Sequence, residues 1–154
     1  MSHWQSGKIK LKCSIKTLQK ALIDMMEEWK NHIYVSESGD LPLYTYQGEK
    51  DTETYNVVIP GCKNPNYRAA PGVVYSDIGI RKQEDGTWFV KADISGLPHE
   101  VRNFTGKLQA SVAAIKVKQI AGSNNNKLVS DYVKDGKRYI KLITPVDEKF
   151  KIKA

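Results

Sequence analysis

The stretch Asp77-Ile78-Gly79-Ile80-Arg81-Lys82-Gln83-Glu84-Asp85-Gly86-Thr87-Trp88-Phe89-Val90-Lys91-Ala92-Asp93 decides how this chain is read. Two runs, Val73 to Lys82 and Thr87 to Asp93, flank Glu84-Asp85-Gly86. Asp-Gly between such runs is a strong short-range hairpin signal, because a type I′ turn needs positive φ at both central positions. Side chains on a strand alternate between its two faces. The parity of the second run therefore turns Trp88, Val90 and Ala92 inward and Phe89 and Lys91 outward.

The same signals recur downstream. Val101, Phe104, Leu108, Val112 and Ile115 fall on one stripe at helical spacing, with Pro98 near its start and Gly122 just past its end. Gly106 weakens that helix by about 1 kcal/mol relative to alanine. After the polar Ser123-Asn124-Asn125-Asn126 linker, Lys127 to Lys134 and Lys137 to Ile143 flank Asp135-Gly136 as a second hairpin. Its inner positions are Ile140 and Leu142, and its outer ones Lys137, Tyr139 and Lys141. Phe150 to Lys153 alternates once more at the end of the chain.

Upstream, Lys8-Ile9-Lys10-Leu11-Lys12-Cys13 alternates strictly, as a strand with Ile9, Leu11 and Cys13 inward and the lysines outward. Leu18, Ala21, Leu22, Met25 and Trp29 form an amphipathic helix with Ser14 as its N-cap. His32 to Val35 is a short apolar run, and residues 36–54 read as a polar loop. Thr54 to Ile59 is β-branched and reads as a strand. A segment dense in Pro, Gly and Asn then runs from Pro60-Gly61 to Pro71-Gly72 as a long surface loop. The whole is a single α+β domain over 1–154 with a loop-rich insertion over 36–72. Its core is a ferredoxin-like βαββαβ arrangement, an antiparallel sheet with two helices on one face, followed by a C-terminal hairpin.

At 154 residues, 40% hydrophobic and 27% charged, the chain can bury one real core. It has no run of 18 apolar residues and no secretory leader pattern, so a cytoplasmic protein without a membrane partner is expected. Cys13 and Cys62 sit in no CxxC and are expected to stay reduced. The net charge of +7 is uneven. Residues 1–20 carry five lysines and no acid. Residues 115–154 carry ten basic residues against Asp131, Asp135, Asp147 and Glu148, while the middle of the chain is mildly acidic.

No phosphate-binding loop or dinucleotide fingerprint occurs, and His3, His32 and His99 have no nucleophile at a recognisable spacing. No cofactor, metal or catalytic residue is assigned, and an enzyme would need a site assembled from residues scattered along the chain. The informative surface is instead the sheet face opposite the helices. If the first and last strands lie in one sheet, Lys8, Lys10, Lys12, Phe89, Lys91, Tyr139 and Lys141 share that face. Interleaved rings and lysines can hold single-stranded nucleic acid, since rings stack on bases and lysines neutralise phosphates. Such lysines are equally the ordinary composition of a solvated sheet. The Pro/Asn-rich loop adds Lys63, Tyr67 and Arg68, residue types suited to interfaces. The expectation is a small non-enzymatic binding or adaptor protein engaging a protein partner or acidic assembly. A single-stranded nucleic-acid (RNA) module is the alternative, and a homo-oligomer stays open.

The opening Met1-Ser2-His3-Trp4, the basic first strand followed by a Leu-rich helix, and Asp77-Ile78-Gly79-Ile80 with Asp85-Gly86 and Ala92-Asp93 resemble a family of short proteins of unknown function. Its members occur in cyanobacteria, algal plastid genomes and other bacteria. The resemblance covers roughly residues 1–35 and 73–144. It implies the fold and a cytosolic or stromal location, and it brings no catalytic residues.

Overall fold

The alternation at 88–93 is realised in an interior strand of a five-stranded sheet. The computed structural model describes residues 4–9, 12–123 and 127–143. The expected positions of Met1 to His3, Lys10, Leu11, Asn124 to Asn126 and Phe150 to Lys153 lie outside them. The chain divides into two compact units, residues 1–112 and 113–154.

In the first unit, β1 (Trp4–Ile9), β2 (Tyr34–Val35), β5 (Val57–Ile59), β6 (Ile78–Lys82) and β7 (Trp88–Asp93) form a sheet in the order β1-β7-β6-β5-β2, every neighbouring pair antiparallel. Trp88, Val90, Ile78, Ile80, Val57 and Ile59 share one face by register and are essentially solvent-free. Burying each such side chain contributes about 1.5–3 kcal/mol. Helix α1 (Ile15–Met25) is capped as expected, with the Ser14 hydroxyl accepting the Thr17 N–H at 3.1 Å, and it buries Leu18, Ala21 and Leu22. The Trp88 indole N–H donates to the Cys13 carbonyl at 3.1 Å just before that helix. Helix α2 (Phe104–Ser123) begins over Gly7, where a Cβ would lie 2.8 Å from the Thr105 methyl, and Phe104 meets the Trp29 ring at 6.1 Å. Both helices thus start on the Trp88 side of the sheet.

The α+β class holds, and two finer expectations meet a different arrangement. In a ferredoxin-like sheet the two strands joined by the first helix are separated by one strand, whereas here β1 and β2, joined through α1, stand at the two edges with three strands between them. The final hairpin, β8 (Lys127–Lys134) and β9 (Lys137–Ile143), has the expected bounds but forms its own two-stranded sheet in the second unit and does not pair with β1. Its described residues carry charge on both faces, with Lys134, Lys137 and Lys141 on one and Asp131 and Arg138 on the other. Neither face is the apolar one that a central strand requires.

The segment 36–54, read as a loop, contains a second hairpin, β3 (Leu41–Tyr44) and β4 (Lys50–Tyr55). The strand expected over 54–59 is divided at Asn56. The Asn56 side-chain amide donates to the carbonyls of Ser36 and Glu37, and its oxygen accepts the Lys82 N–H at 2.8 Å. Those bonds turn the chain from one sheet into the other.

The two Asp-Gly dipeptides also part ways. Asp135 and Gly136 both have positive φ, at 52° and 75°, as a two-residue type I′ turn requires. At the other hairpin only Gly86 does, at 85°. There the Gly86 N–H donates to Gln83, the Gln83 N–H donates to Thr87, and the three-residue loop closes as a turn followed by a left-handed glycine.

Candidate functional site

The face bearing Phe89 and Lys91 is covered, and the β3–β4 hairpin covers it. Gly79 is what allows the approach: a Cβ there would lie 2.4 Å from Leu43 Cδ1 and 2.8 Å from Tyr55 Cδ1. Leu43, Tyr55 and Val58 form a buried cluster against which Trp4, Leu41 and Phe89 pack. Above it the cations are already engaged. The Arg81 guanidinium lies 4.9 Å from the Phe89 ring centre and 5.5 Å from that of Tyr55, and it reaches Glu53 at 3.6 Å. Lys91 Nζ is 3.1 Å from Asp51 Oδ2 and 4.7 Å from the Trp4 ring centre. The Tyr55 hydroxyl donates to the same Asp51 oxygen. Burial alone would raise the Asp51 carboxyl, but the Tyr55 and Lys91 bonds outweigh it and hold it below the ordinary carboxylate range. Burial and that same carboxylate push the Tyr55 phenol well above its ordinary value.

The loop over 60–72 is pinned by one buried carboxylate. Asp77, fully shielded from solvent, accepts from the Gly61 N–H at 2.7 Å, the Tyr44 N–H at 2.8 Å and the Asn64 amide at 2.9 Å, while its own N–H donates to the Tyr44 carbonyl. Desolvation raises its carboxyl above the ordinary value, against the pull of those three bonds. Asn64 in turn accepts from the N–H groups of Asn66 and Tyr67. The Tyr67 ring stacks on Tyr34 at 3.7 Å, and Lys63 and Arg68 stand exposed.

The β8–β9 hairpin presents a different surface. Tyr132 and Tyr139 are ladder partners with ring centres 5.3 Å apart, 17° from parallel, and 52% and 43% exposed. By register Lys134, Lys137 and Lys141 share their face, all three exposed. On the other face Asp131 binds Arg138 at 2.8 Å and Lys118 at 2.6 Å, and these two cations hold its carboxyl far below the ordinary range.

Of the residues expected to share one binding face, Lys8, Phe89 and Lys91 stand on the main sheet and Tyr139 and Lys141 on the β8–β9 sheet. Phe89 and Lys91 lie beneath β3–β4, and Lys8 is the ladder partner of Phe89. Lys12 is exposed, with its stem beside the Gly86 turn. Tyr139 and Lys141 belong to the separate hairpin, and Lys63, Tyr67 and Arg68 to the pinned loop. Sequence reasoning missed Tyr132 and Lys134 as the companions of Tyr139 and Lys137, although a two-residue turn pairs residues equidistant from it. It also missed Asp51 and Glu53, because the segment that carries them was read as a loop and their partners Lys91 and Arg81 belong to another sheet, 40 and 28 residues along the chain.

An open cleft of about 400 Å³ beside β6 is lined by Glu37, Ser38, Glu53, Asn56, Arg81 and Glu84 among others, a mixed-charge set without histidine or cysteine. Among the described residues no three His, Cys, Asp or Glu side chains converge as a metal site, and no helix is long and apolar enough to cross a membrane. Compared with protein-family models, with curated proteins and with solved structures, the chain matches none.

Proposed function

We propose that this protein is a non-enzymatic binding module that engages an anionic macromolecular partner through the Lys134, Lys137, Lys141 face of its β8–β9 hairpin. The observation that carries this reading is a contrast in compensation. Arg81 and Lys91 are matched by Glu53 and Asp51, whereas the three hairpin lysines share their face with Ser130 and two tyrosines. Uncompensated like charges on a ribbon two strands wide raise the local positive potential, which attracts and orients polyanions. The pinned loop with exposed Lys63 and Arg68 offers the first unit a contact surface of its own. The family resemblance assigns no residue to chemistry and so carries no weight here.

Retention on immobilised polyglutamate at 50 mM and 200 mM salt tests the reading. The intact chain is expected to bind at the lower salt and to be released at the higher. The triple variant Lys134→Gln, Lys137→Gln, Lys141→Gln is expected to lose most of the retention. Equal retention of the variant, or none by the parent chain at 50 mM, overturns the assignment.

A further inference from the structure

Resting on that reading of the hairpin, we propose that its ligand is single-stranded nucleic acid, with bases on the rings of Tyr132 and Tyr139 and phosphates at Lys134, Lys137 and Lys141. Charge alone would suit any polyanion, so the rings carry the distinction. Two tyrosines half-exposed at the middle of a basic ribbon are an apolar surface held in water. Their separation of 5.3 Å at 17° is an offset stack, which leaves outer ring surface open on both residues. Tyr34 and Tyr67 show the contrast. At 3.7 Å and 16° those two rings lie face to face, and each covers the other.

The lysines stand in register with the rings. Lys134 and Lys137 are ladder partners on the turn side of the tyrosine pair, and Lys141 pairs with Ser130 on the far side. Successive same-face residues along a strand are about 7 Å apart, so charge, ring and charge follow one another at steps that an extended, unstacked nucleotide chain can match. Stacking on aromatic side chains needs the free face of a base, which a closed duplex does not offer. Of the hairpin's described acids, Asp131 points from the opposite face and is held there by Arg138 and Lys118, and Asp135 stands exposed in the turn next to Lys134.

The test uses the full chain and three probes of similar length: a fluorescent oligothymidylate, the corresponding duplex and inorganic polyphosphate. The single strand is expected to bind most tightly. Three phosphate contacts predict a roughly twentyfold loss between 50 mM and 200 mM salt. Tyr139→Ala is expected to weaken the oligonucleotide about tenfold and to leave polyphosphate unchanged, while Tyr139→Phe retains the affinity. Tyr132→Ala should behave like Tyr139→Ala. Circular dichroism of each variant shows whether the hairpin is intact, and Tyr139→Phe keeps the inference testable if an alanine variant is not. Polyphosphate bound as tightly as the oligonucleotide, with no effect of either alanine, overturns the nucleic-acid inference and leaves the anionic-partner reading standing. Duplex bound as tightly as single strand overturns the single-strand assignment. No binding of any probe at 50 mM salt overturns both.

Discussion

On the main sheet Arg81 and Lys91 lie against Phe89, Tyr55 and Trp4, and Glu53 and Asp51 lie on the cations in turn. On the β8–β9 hairpin Lys134, Lys137 and Lys141 bracket Tyr132 and Tyr139, and no described acid shares that face. The side-chain types are the same, and what differs is whether the chain supplies the anion itself. On the sheet it does, and basic and aromatic residues become a packed, half-buried layer. On the hairpin it does not, and the same chemistry stays in water. A basic stretch therefore identifies a binding surface only after its internal acids have been located.

The sharpest way to break the comparison is to remove what holds the cover down. Asp77→Ala strands the Gly61 and Tyr44 N–H groups and the Asn64 amide, and is expected to cost about 3–5 kcal/mol at roughly 1 kcal/mol or more for each unmet donor. Urea unfolding followed by tryptophan fluorescence measures it. A loss below 1 kcal/mol would show that the carboxylate does not anchor the hairpin. Next is Gly79→Ala, whose methyl would sit 2.4 Å from Leu43 Cδ1. Overpacking there is expected to cost about 1–3 kcal/mol, and the double change Gly79→Ala with Leu43→Ala should recover part of the strain.

Asp51→Asn tests the internal anion directly. Its carboxyl is held below the ordinary value, so the stabilisation it provides is complete above the unfolded pKa, about 3.9, and is lost as pH falls through the lower folded value. The variant is therefore expected to be about 1–2 kcal/mol less stable than the parent at pH 7, with the gap closing toward pH 2. A gap independent of pH would mean that the carboxylate's charge is irrelevant. The smallest effect is expected on the open face. Lys137→Gln should leave the unfolding free energy within about 0.5 kcal/mol of the parent, while weakening retention on polyanions. A large stability loss there would show that the lysine is structural after all.

Much of this architecture was legible from local pattern. Ser14 caps its helix, Trp88, Val90 and Ala92 point inward, and both hairpins close at their Asp-Gly dipeptides. Each depends on residues a few positions apart. The cover was not legible, because β3 and β4 have no apolar period of their own. Between Leu41 and Tyr55 the strands carry Lys50, Asp51, Thr52, Glu53 and Thr54, and their buried members, Leu43, Tyr44 and Tyr55, make sense only against Gly79, Phe89 and Trp4. Asn56 hides the strand switch in the same way, since its three bonds go to residues on either side of the cover. The candidate face joined the parities of strands that belong to separate sheets. Tyr139 and Lys141 point outward as expected, on a ribbon that pairs with itself.

The three bonds to Asp77 come from positions 16, 33 and 13 residues away along the chain. None of the three segments can consolidate against that carboxylate until it is withdrawn from water, and it cannot be withdrawn at modest cost until all three are present. Assembly of the loop and the cover is thereby coupled into a single late event. Its signature is that the amide protons of Gly61 and Tyr44 become protected from exchange together, at a rate set by closing long loops, whereas the local turns at Gly86 and Gly136 form well before either.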